Sequence, residues 1–289
     1  MIRSLFFAPA NRPELVAKFP RFNADCCVID LEDGTPDAHK ASARQALAQT
    51  VRGAREAGLD ALLAIRVNVP QSPHFLADLE AAAACDVDAI MIPKLEEASQ
   101  TFAAAHWIDH SRATRQRPLQ LIGGIESVRG VLGAVAICEQ TADLLAVYFG
   151  AEDFAADIGG RRTATGEEVA TARAWVVMAA KAARVTAIDQ AVLDIRNDAL
   201  FNQDASRGRD MGYQGKICVA PAQVALANAA FSPTAQEVAY ARRLVQTYEA
   251  AAARGIGTID FEGTMVDGPL LKRSRGILKA AGQAGRSAP

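Results

Sequence analysis

Short runs of apolar and β-branched residues punctuate the chain at Leu5–Ala8, Cys26–Ile29, Leu62–Val67, Ala89–Ile92, Leu119–Ile125, Leu144–Phe149, Thr186–Ile188 and Lys216–Val219. They are apolar without polar alternation, the pattern of strands covered on both faces. The segments between them carry helical periodicity. It is clearest in Thr165–Val185, where Val169, Ala172, Val176, Ala179 and Ala183 mark one face and Thr165 with Glu168 has the spacing of a capping box. Strand and helix therefore alternate, and eight such units predict an α/β fold closed into a (β/α)8 TIM barrel rather than an open sheet. After Ser232-Pro233 the pattern changes to one long helix from Thr234 to Arg254, a Gly-rich turn at Gly255 and Gly257, the stretch Phe261–Pro269 and a further helical segment. Residues 1–232 are read as the barrel and 233–289 as a C-terminal extension, with 282–289 as a frayed tail.

Composition narrows the class. Half of the 289 residues are hydrophobic and 22% are charged, enough apolar material for a large core. A formal charge of −2 supplies no basic field for a nucleic acid. Membrane spanning is not expected: no run approaches the roughly 18 apolar residues of a membrane helix, and Ala81–Pro93 is broken by Asp86 and Asp88. Met1–Pro9 does not look like a secretory signal, so a cytoplasmic location is expected. The five cysteines, Cys26, Cys27, Cys85, Cys138 and Cys218, contain no CxxC pair and are read as reduced, buried thiols.

In a barrel of this kind chemistry gathers where the strands end. The apolar runs are followed by Asn11-Arg12, Asp30-Leu31-Glu32-Asp33-Gly34, Pro93-Lys94, Glu126-Ser127, Gly150-Ala151-Glu152-Asp153, Asp189 and Pro221, and the third run carries Arg66 and Asn68. Glu126 and Asp153 come from consecutive strands. Two carboxylates with few other protein ligands suit Mg²⁺, with Mn²⁺ as the alternative ion, and the competing reading pairs both with Arg or Lys at the rim. His39, His74, His106 and His110 fall in or beside predicted helices, which disfavours zinc. Arg66 would either grip a substrate anion or bridge to Asp30 or Glu32. Asp30 and Glu32, two apart, are candidate acceptors for metal-bound water, whereas Asp33 reads as a helix N-terminal charge. Lys40 and Arg44 read as a solvated helix face or as partners of the loop acids. Lys94 invites a Schiff-base mechanism, against which the two acidic metal-ligand candidates argue. GxGxxG, GxxxxGK[ST], GxSxG and HExxH are all absent, which disfavours dinucleotide, P-loop, α/β-hydrolase and zincin readings.

Taken in order, Leu5-Phe6-Phe7-Ala8-Pro9-Ala10-Asn11-Arg12-Pro13, Asp30-Leu31-Glu32-Asp33-Gly34 with Lys40 and Arg44, Arg66-Val67-Asn68, Ile92-Pro93-Lys94, Gly124-Ile125-Glu126-Ser127, Phe149-Gly150-Ala151-Glu152-Asp153-Phe154 and Gly215-Lys216 with Pro221 and Gln223 form a specific series. In it the chain resembles the citrate lyase β-subunit-like group of the HpcH/HpaI aldolase superfamily, which includes malyl-CoA and citramalyl-CoA lyases. The resemblance implies magnesium on Glu126 and Asp153, substrate contact through Arg66 and CoA phosphates near Arg12 and Lys18, for which helix capping or surface exposure are the plainer roles. It also implies an acid–base aspartate in Met265-Val266-Asp267-Gly268-Pro269 that serves a neighbouring subunit's site. Asp267 is that candidate, an ordinary turn aspartate being the alternative. Two positions depart from the family pattern: Ala220 stands where His is frequent, and Gln190 follows Asp189 where glycine is usual.

The implied chemistry is reversible, Mg²⁺-dependent cleavage of a 3-hydroxyacyl-CoA such as malyl-CoA or citramalyl-CoA into an acyl-CoA and a 2-oxo acid. A segment that completes a neighbour's site implies a homo-oligomer, trimer or hexamer, with a moving lid. The competing readings are the β subunit of a citryl-acyl-carrier-protein lyase, a CoA-independent class II aldolase for hydroxy-oxo acids, and a noncatalytic barrel.

Overall fold

The computed structural model describes residues 1–112 and 118–284. All eight expected strands form: β1 (Ser4–Pro9), β2 (Cys26–Asp30), β3 (Leu62–Arg66), β4 (Ala89–Ile92), β5 (Gln120–Ile125), β6 (Leu144–Phe149), β7 (Thr186–Asp189) and β8 (Gly215–Cys218). They pair in parallel with their sequence neighbours, and β8 returns to β1 through Ser4 opposite Lys216, which closes the barrel. The helices on the strand–helix path are α1 (Pro13–Val16), α2 (Asp37–Glu56), α3 (Phe75–Ala83), α4 (Ala98–Arg112), α5 (Val128–Glu139), α6 (Ala151–Asp157), α7 (Glu167–Ala182), α8 (Asp198–Met211) and α9 (Pro221–Ala230). Among the described residues no helix is long and apolar enough to cross a membrane.

Contacts within the chain divide it into two units, residues 2–230 and a second that begins at Phe231. The second unit contains α10 (Ala235–Ala252), a hairpin of β9 (Ile259–Phe261) and β10 (Thr264–Val266), and α11 (Gly268–Ala284). Thr234 caps α10: its hydroxyl accepts from Glu237 N at 3.1 Å while the Glu237 carboxylate accepts from Thr234 N at 2.7 Å. Glu262 and Gly263, both with positive φ, make the tight hairpin turn. This hairpin was not expected from the sequence, where its strands are only three residues long. Leu244, Phe261, Val266 and Leu271 form the unit's own apolar core. Residues 282–284, expected as tail, belong to α11, and residues 285–289 lie outside the described residues.

The expected start of α7 needs correction. Its N-cap is Gly166, in the left-handed region at φ 66°, and no side chain caps it. Glu168 instead turns back to Thr163 and Arg162, so Thr165 and Glu168 form no capping box. All five cysteines are free and buried. Burial pushes the Cys27, Cys138 and Cys218 thiols up to about 12, which keeps them protonated and unreactive.

Strand parity fixes what faces the barrel axis. Cys26 and Val28, Ala89 and Met91, Ala146 and Tyr148, Ile188 and Ile217 pack together in one core cluster. The alternate residues Asp189 and Lys216 therefore point outward, beneath the helices. Asp189, expected at the rim, is instead fully buried: it accepts from Arg173 Nε at 2.8 Å and Nη2 at 2.5 Å, and from Lys216 Nζ at 3.1 Å. Asp204 on α8 completes the set, 2.9 Å from Arg173 Nη1 and 2.5 Å from Lys216 Nζ. Two cations and two anions compensate one another here, while the side chains of Arg173, Asp189 and Lys216 are at most 1% exposed. Removing one partner would leave a buried charge unmatched. Arg173→Ala is expected to destabilise the protein by about 3–5 kcal/mol, as read from urea unfolding, and a loss below about 1 kcal/mol would contradict this account.

Candidate active site

Parity also builds the site. Asp30 continues the inward series of Cys26 and Val28, Arg66 that of Ala64, and Glu126 that of Ile122 and Gly124. Asp30 and Arg66 are register partners on adjacent strands. Their side chains form a two-bond fork, Arg66 Nε to Asp30 Oδ1 at 2.7 Å and Arg66 Nη2 to Asp30 Oδ2 at 2.6 Å. The Phe7 ring lies 5.1 Å from the guanidinium carbon. The third nitrogen, Nη1, sits 3.1 Å from Glu32 Oε2 without hydrogen-bond geometry, and that buried oxygen has no hydrogen-bond partner. Of the two roles expected for Arg66, the salt bridge to Asp30 and Glu32 is thus present, and Nη1 keeps donor capacity.

Lys94 follows β4 in the left-handed region, φ 50°, a strained conformation for a side chain of this size. Its ammonium lies among three carboxylates, 2.9 Å from Glu32, 3.2 Å from Asp33 and 3.4 Å from Asp153. Partial burial alone would lower its pKa, but Glu32, Asp153 and Asp33 more than reverse that and hold the ammonium charged. A Schiff-base lysine needs the free amine, so the Schiff-base reading of Lys94 has no support. α2 starts at Asp37 as expected, but Asp33, expected to serve its N-terminus, faces the Lys94 ammonium instead.

Glu126 is buried at the cavity wall. Its Oε1 accepts from Tyr148 Oη at 2.6 Å and from Lys94 N at 3.0 Å. Gly124 and Gly150 make the space: a Cβ at either position would collide with the Glu126 carboxyl group. Burial raises the Glu126 pKa to about 7, against the opposing pull of Tyr148 and Arg66. The Tyr148 hydroxyl, buried beside it, stays protonated and so remains a donor.

Glu126 and Asp153 both line a cavity of about 440 Å³, together with Asp30, Asp33, Arg66, Tyr148 and apolar residues of β1, β8 and the segment after β7. Asp30, Glu32, Asp33, Glu126 and Asp153 surround only two cations, Arg66 and Lys94, among the described residues. That acidic excess, with a carboxyl whose pKa is raised by burial, fits a hard divalent cation. No group of three His, Cys, Asp or Glu side chains converges as a ready-made metal site among the described residues. The donor set therefore suits an ion such as Mg²⁺, which takes two carboxylates and fills its remaining positions with water or substrate oxygens.

The loops that carry these groups are tied from below. Lys40 is buried and donates to Asn68 Oδ1, and Arg44 Nε donates to Asp78 at 2.6 Å, so neither forms the solvated face or the partner of rim acids that the sequence suggested. Asn68 links the two, donating to Asp78 Oδ2 at 2.6 Å and to Leu31 O at 3.0 Å, which anchors the backbone next to Glu32. Arg12 and Lys18 are exposed around α1 and do not line the cavity; Arg12 pairs with Glu14 at 2.5 Å. Asp267 is half-buried in the second unit, where its carbonyl accepts from Leu271 N in the first turn of α11. Sequence reasoning missed Tyr148, whose inward parity with Ala146 was the available signal.

The HpcH/HpaI aldolase/citrate lyase family matches residues 3–221 of this chain. The chain belongs to that family. It is 40% identical over 280 residues to the citrate lyase subunit beta-like protein of Deinococcus radiodurans, with 96% of each chain covered. It is 30% identical over 295 residues to the mitochondrial citramalyl-CoA lyase of Rattus norvegicus, covering 96% of this chain and 86% of that one. Among solved structures it resembles the CitE protein of Mycobacterium tuberculosis in complex with magnesium, acetoacetate and coenzyme A. The TM-score is 0.77 at 30% identity, over 96% of this chain and 97% of that one. The barrel is that of the family, and the chain is an aldolase-type lyase.

The raised Glu126 pKa has a consequence for stability. The fold favours the neutral acid, so this contribution is complete below the ordinary value of 4.5 and is lost as pH rises through about 7. In metal-free protein the loss amounts to roughly 3 kcal/mol between those limits. Glu126→Gln keeps the volume and removes the ionisation, and is expected to flatten that dependence. Urea unfolding in EDTA at pH 5.5, 6.5 and 7.5 measures it; an unchanged slope in the variant would contradict the assignment.

Proposed function

We propose that the chain reversibly cleaves the carbon–carbon bond of a 3-hydroxyacyl-CoA of the malyl-CoA or citramalyl-CoA type, giving an acyl-CoA and a 2-oxo acid. The observation that carries the reading is that the buried Glu126 and Asp153 line one cavity, beside a guanidinium with donor capacity left. Glu126 and Asp153 would hold Mg²⁺. When bound, the ion supplies Lewis-acid polarisation and a template for the carboxylate and adjacent oxygen of the oxo-acid half.

The chain's own groups do the rest. Asp30 holds Arg66 in one orientation by the two-bond fork, and Arg66 Nη1 donates to the oxygen that carries negative charge as the bond breaks. Tyr148 and the Lys94 backbone N–H fix Glu126 Oε1, which leaves Oε2 for the cation. In cleavage the carbinol hydroxyl gives its proton to solvent water and becomes the 2-oxo carbonyl, while the bonding pair passes into the thioester enolate. The Asp267 carboxyl, brought by a neighbouring subunit of a homo-oligomer, gives a proton to the enolate carbon and takes one from it in the reverse direction. Arg12 and Lys18 suit the CoA phosphates, since both are exposed and cationic.

A second reading, the β subunit of a carrier-linked citryl lyase, draws support from the 40% identity to the citrate lyase subunit beta-like protein. Purified protein incubated with malyl-CoA or citramalyl-CoA separates the two. Release of glyoxylate or pyruvate with Mg²⁺, abolished by EDTA, is expected; no release from either free ester would favour the carrier-linked reading. Asp267→Asn is expected to lower turnover by about 10²–10⁴-fold, the range of a general acid–base group, with Mg²⁺ affinity kept. Comparable losses in both would remove Asp267 from proton transfer.

A further inference from the structure

We infer that the wall of the cavity formed by β7, β8 and β1 is a subsite for an alkyl substituent on the bound 2-oxo acid, and that it disfavours a second carboxylate there. The inference rests on the lyase reading above and specifies its substrate. The cavity is two-sided in chemistry. Its charged groups come from β2, β3, β5 and the segment after β6, whereas the remaining arc presents Phe7, Ala191, Leu193, Ile217 and Val219. Leu193 is 58% exposed and Val219 41%, large apolar side chains left open at the site. Single exposed apolar residues are ordinary, but these line one cavity and stand beside the buried Ile217.

No cation lines this arc among the described residues. Arg66 is forked to Asp30 with only Nη1 left, which the mechanism above commits to the reacting oxygen, and Lys94 is surrounded by Glu32, Asp33 and Asp153. Arg162 shares a small neighbouring cavity of about 100 Å³ with Ala191 and Leu193, yet it is held by Glu152 at 2.9 Å and by Glu168. A carboxymethyl group placed on this wall would lose hydration and gain no counter-charge. A methyl or ethyl group would gain contact area.

The wall is also built to stay in place. Gln223 Nε2 donates to Val192 O at 2.8 Å, while its Oε1 accepts from Val219 N at 2.8 Å and Ala220 N at 3.3 Å. Lys216 Nζ donates to Gln190 O at 2.7 Å. Two buried side chains thus clamp both backbone segments that present Ala191, Leu193 and Val219. Within these segments Gln190 turns its amide to Asp204 at 3.1 Å, and Ala220 adds no titratable group.

Calorimetric titration of the full-length, Mg²⁺-loaded protein with pyruvate, 2-oxobutanoate and oxaloacetate tests this, with EDTA controls. The expected order is 2-oxobutanoate about fourfold tighter than pyruvate, for one added methylene, and oxaloacetate at least about tenfold weaker than 2-oxobutanoate. Leu193→Arg, and independently Val219→Arg, change exposed side chains and are expected to shift the preference towards oxaloacetate by at least about tenfold. Oxaloacetate binding as tightly as 2-oxobutanoate to the unaltered protein would overturn the inference and leave the lyase reading standing. An order unchanged in both folded variants would overturn the assignment to this wall. Binding of none of the three acids with Mg²⁺ would overturn the lyase reading and the inference with it.

Discussion

The mouth of the barrel concentrates more negative charge than the protein neutralises. Five carboxylates from the ends of β2, β5 and β6 meet one guanidinium and one ammonium among the described residues, and burial raises the pKa of one of them, Glu126, to about 7. A fold selected for stability alone would not leave carboxyl groups crowded in this way. A bound cation would relieve this crowding, and a solved family neighbour holds magnesium.

The other side of the barrel carries a second ionic cluster with the opposite character. Arg173, Lys216, Asp189 and Asp204 lie on the outer side of the β7–β8 wall, balanced in charge and fully hydrogen-bonded, with no call on a ligand. Side-chain parity separates the two outcomes. Side chains of one parity enter the barrel and face the cavity, and those of the other enter the layer under the helices and serve as struts. Lys216 connects the layers, since it also holds the Gln190 carbonyl at the start of the segment that lines the cavity.

Rigidity is distributed to match. The Asp30–Arg66 fork, the Asn68 bridge between Lys40 and Asp78, and the Gln223 clamp each fix backbone or side chains near the cavity before any substrate arrives. Preorganised groups of this kind need no reorganisation as charge develops. The strained backbone at Lys94 lies in the same region, where its N–H and its ammonium address different carboxylates.

Much of this was legible in the linear chain. Unbroken apolar runs identified every barrel strand, because a doubly covered strand has no polar face to confuse the pattern, and the polar residues at the ends of those runs marked Arg66, Glu126 and Asp153. Inward parity could have identified Tyr148 and sent Asp189 outward, had it been carried through each strand. The short β9–β10 hairpin escaped because three-residue strands carry too little periodicity. What the chain alone determined is therefore the alternation of strand and helix, and with it the rim on which chemistry collects. Only the tertiary structure decided which charges meet. The partners of Lys40, Asp33, Lys94 and Asp189 lie on other elements, and a pairing across a closed barrel is set by strand register and side-chain direction, which local sequence does not encode.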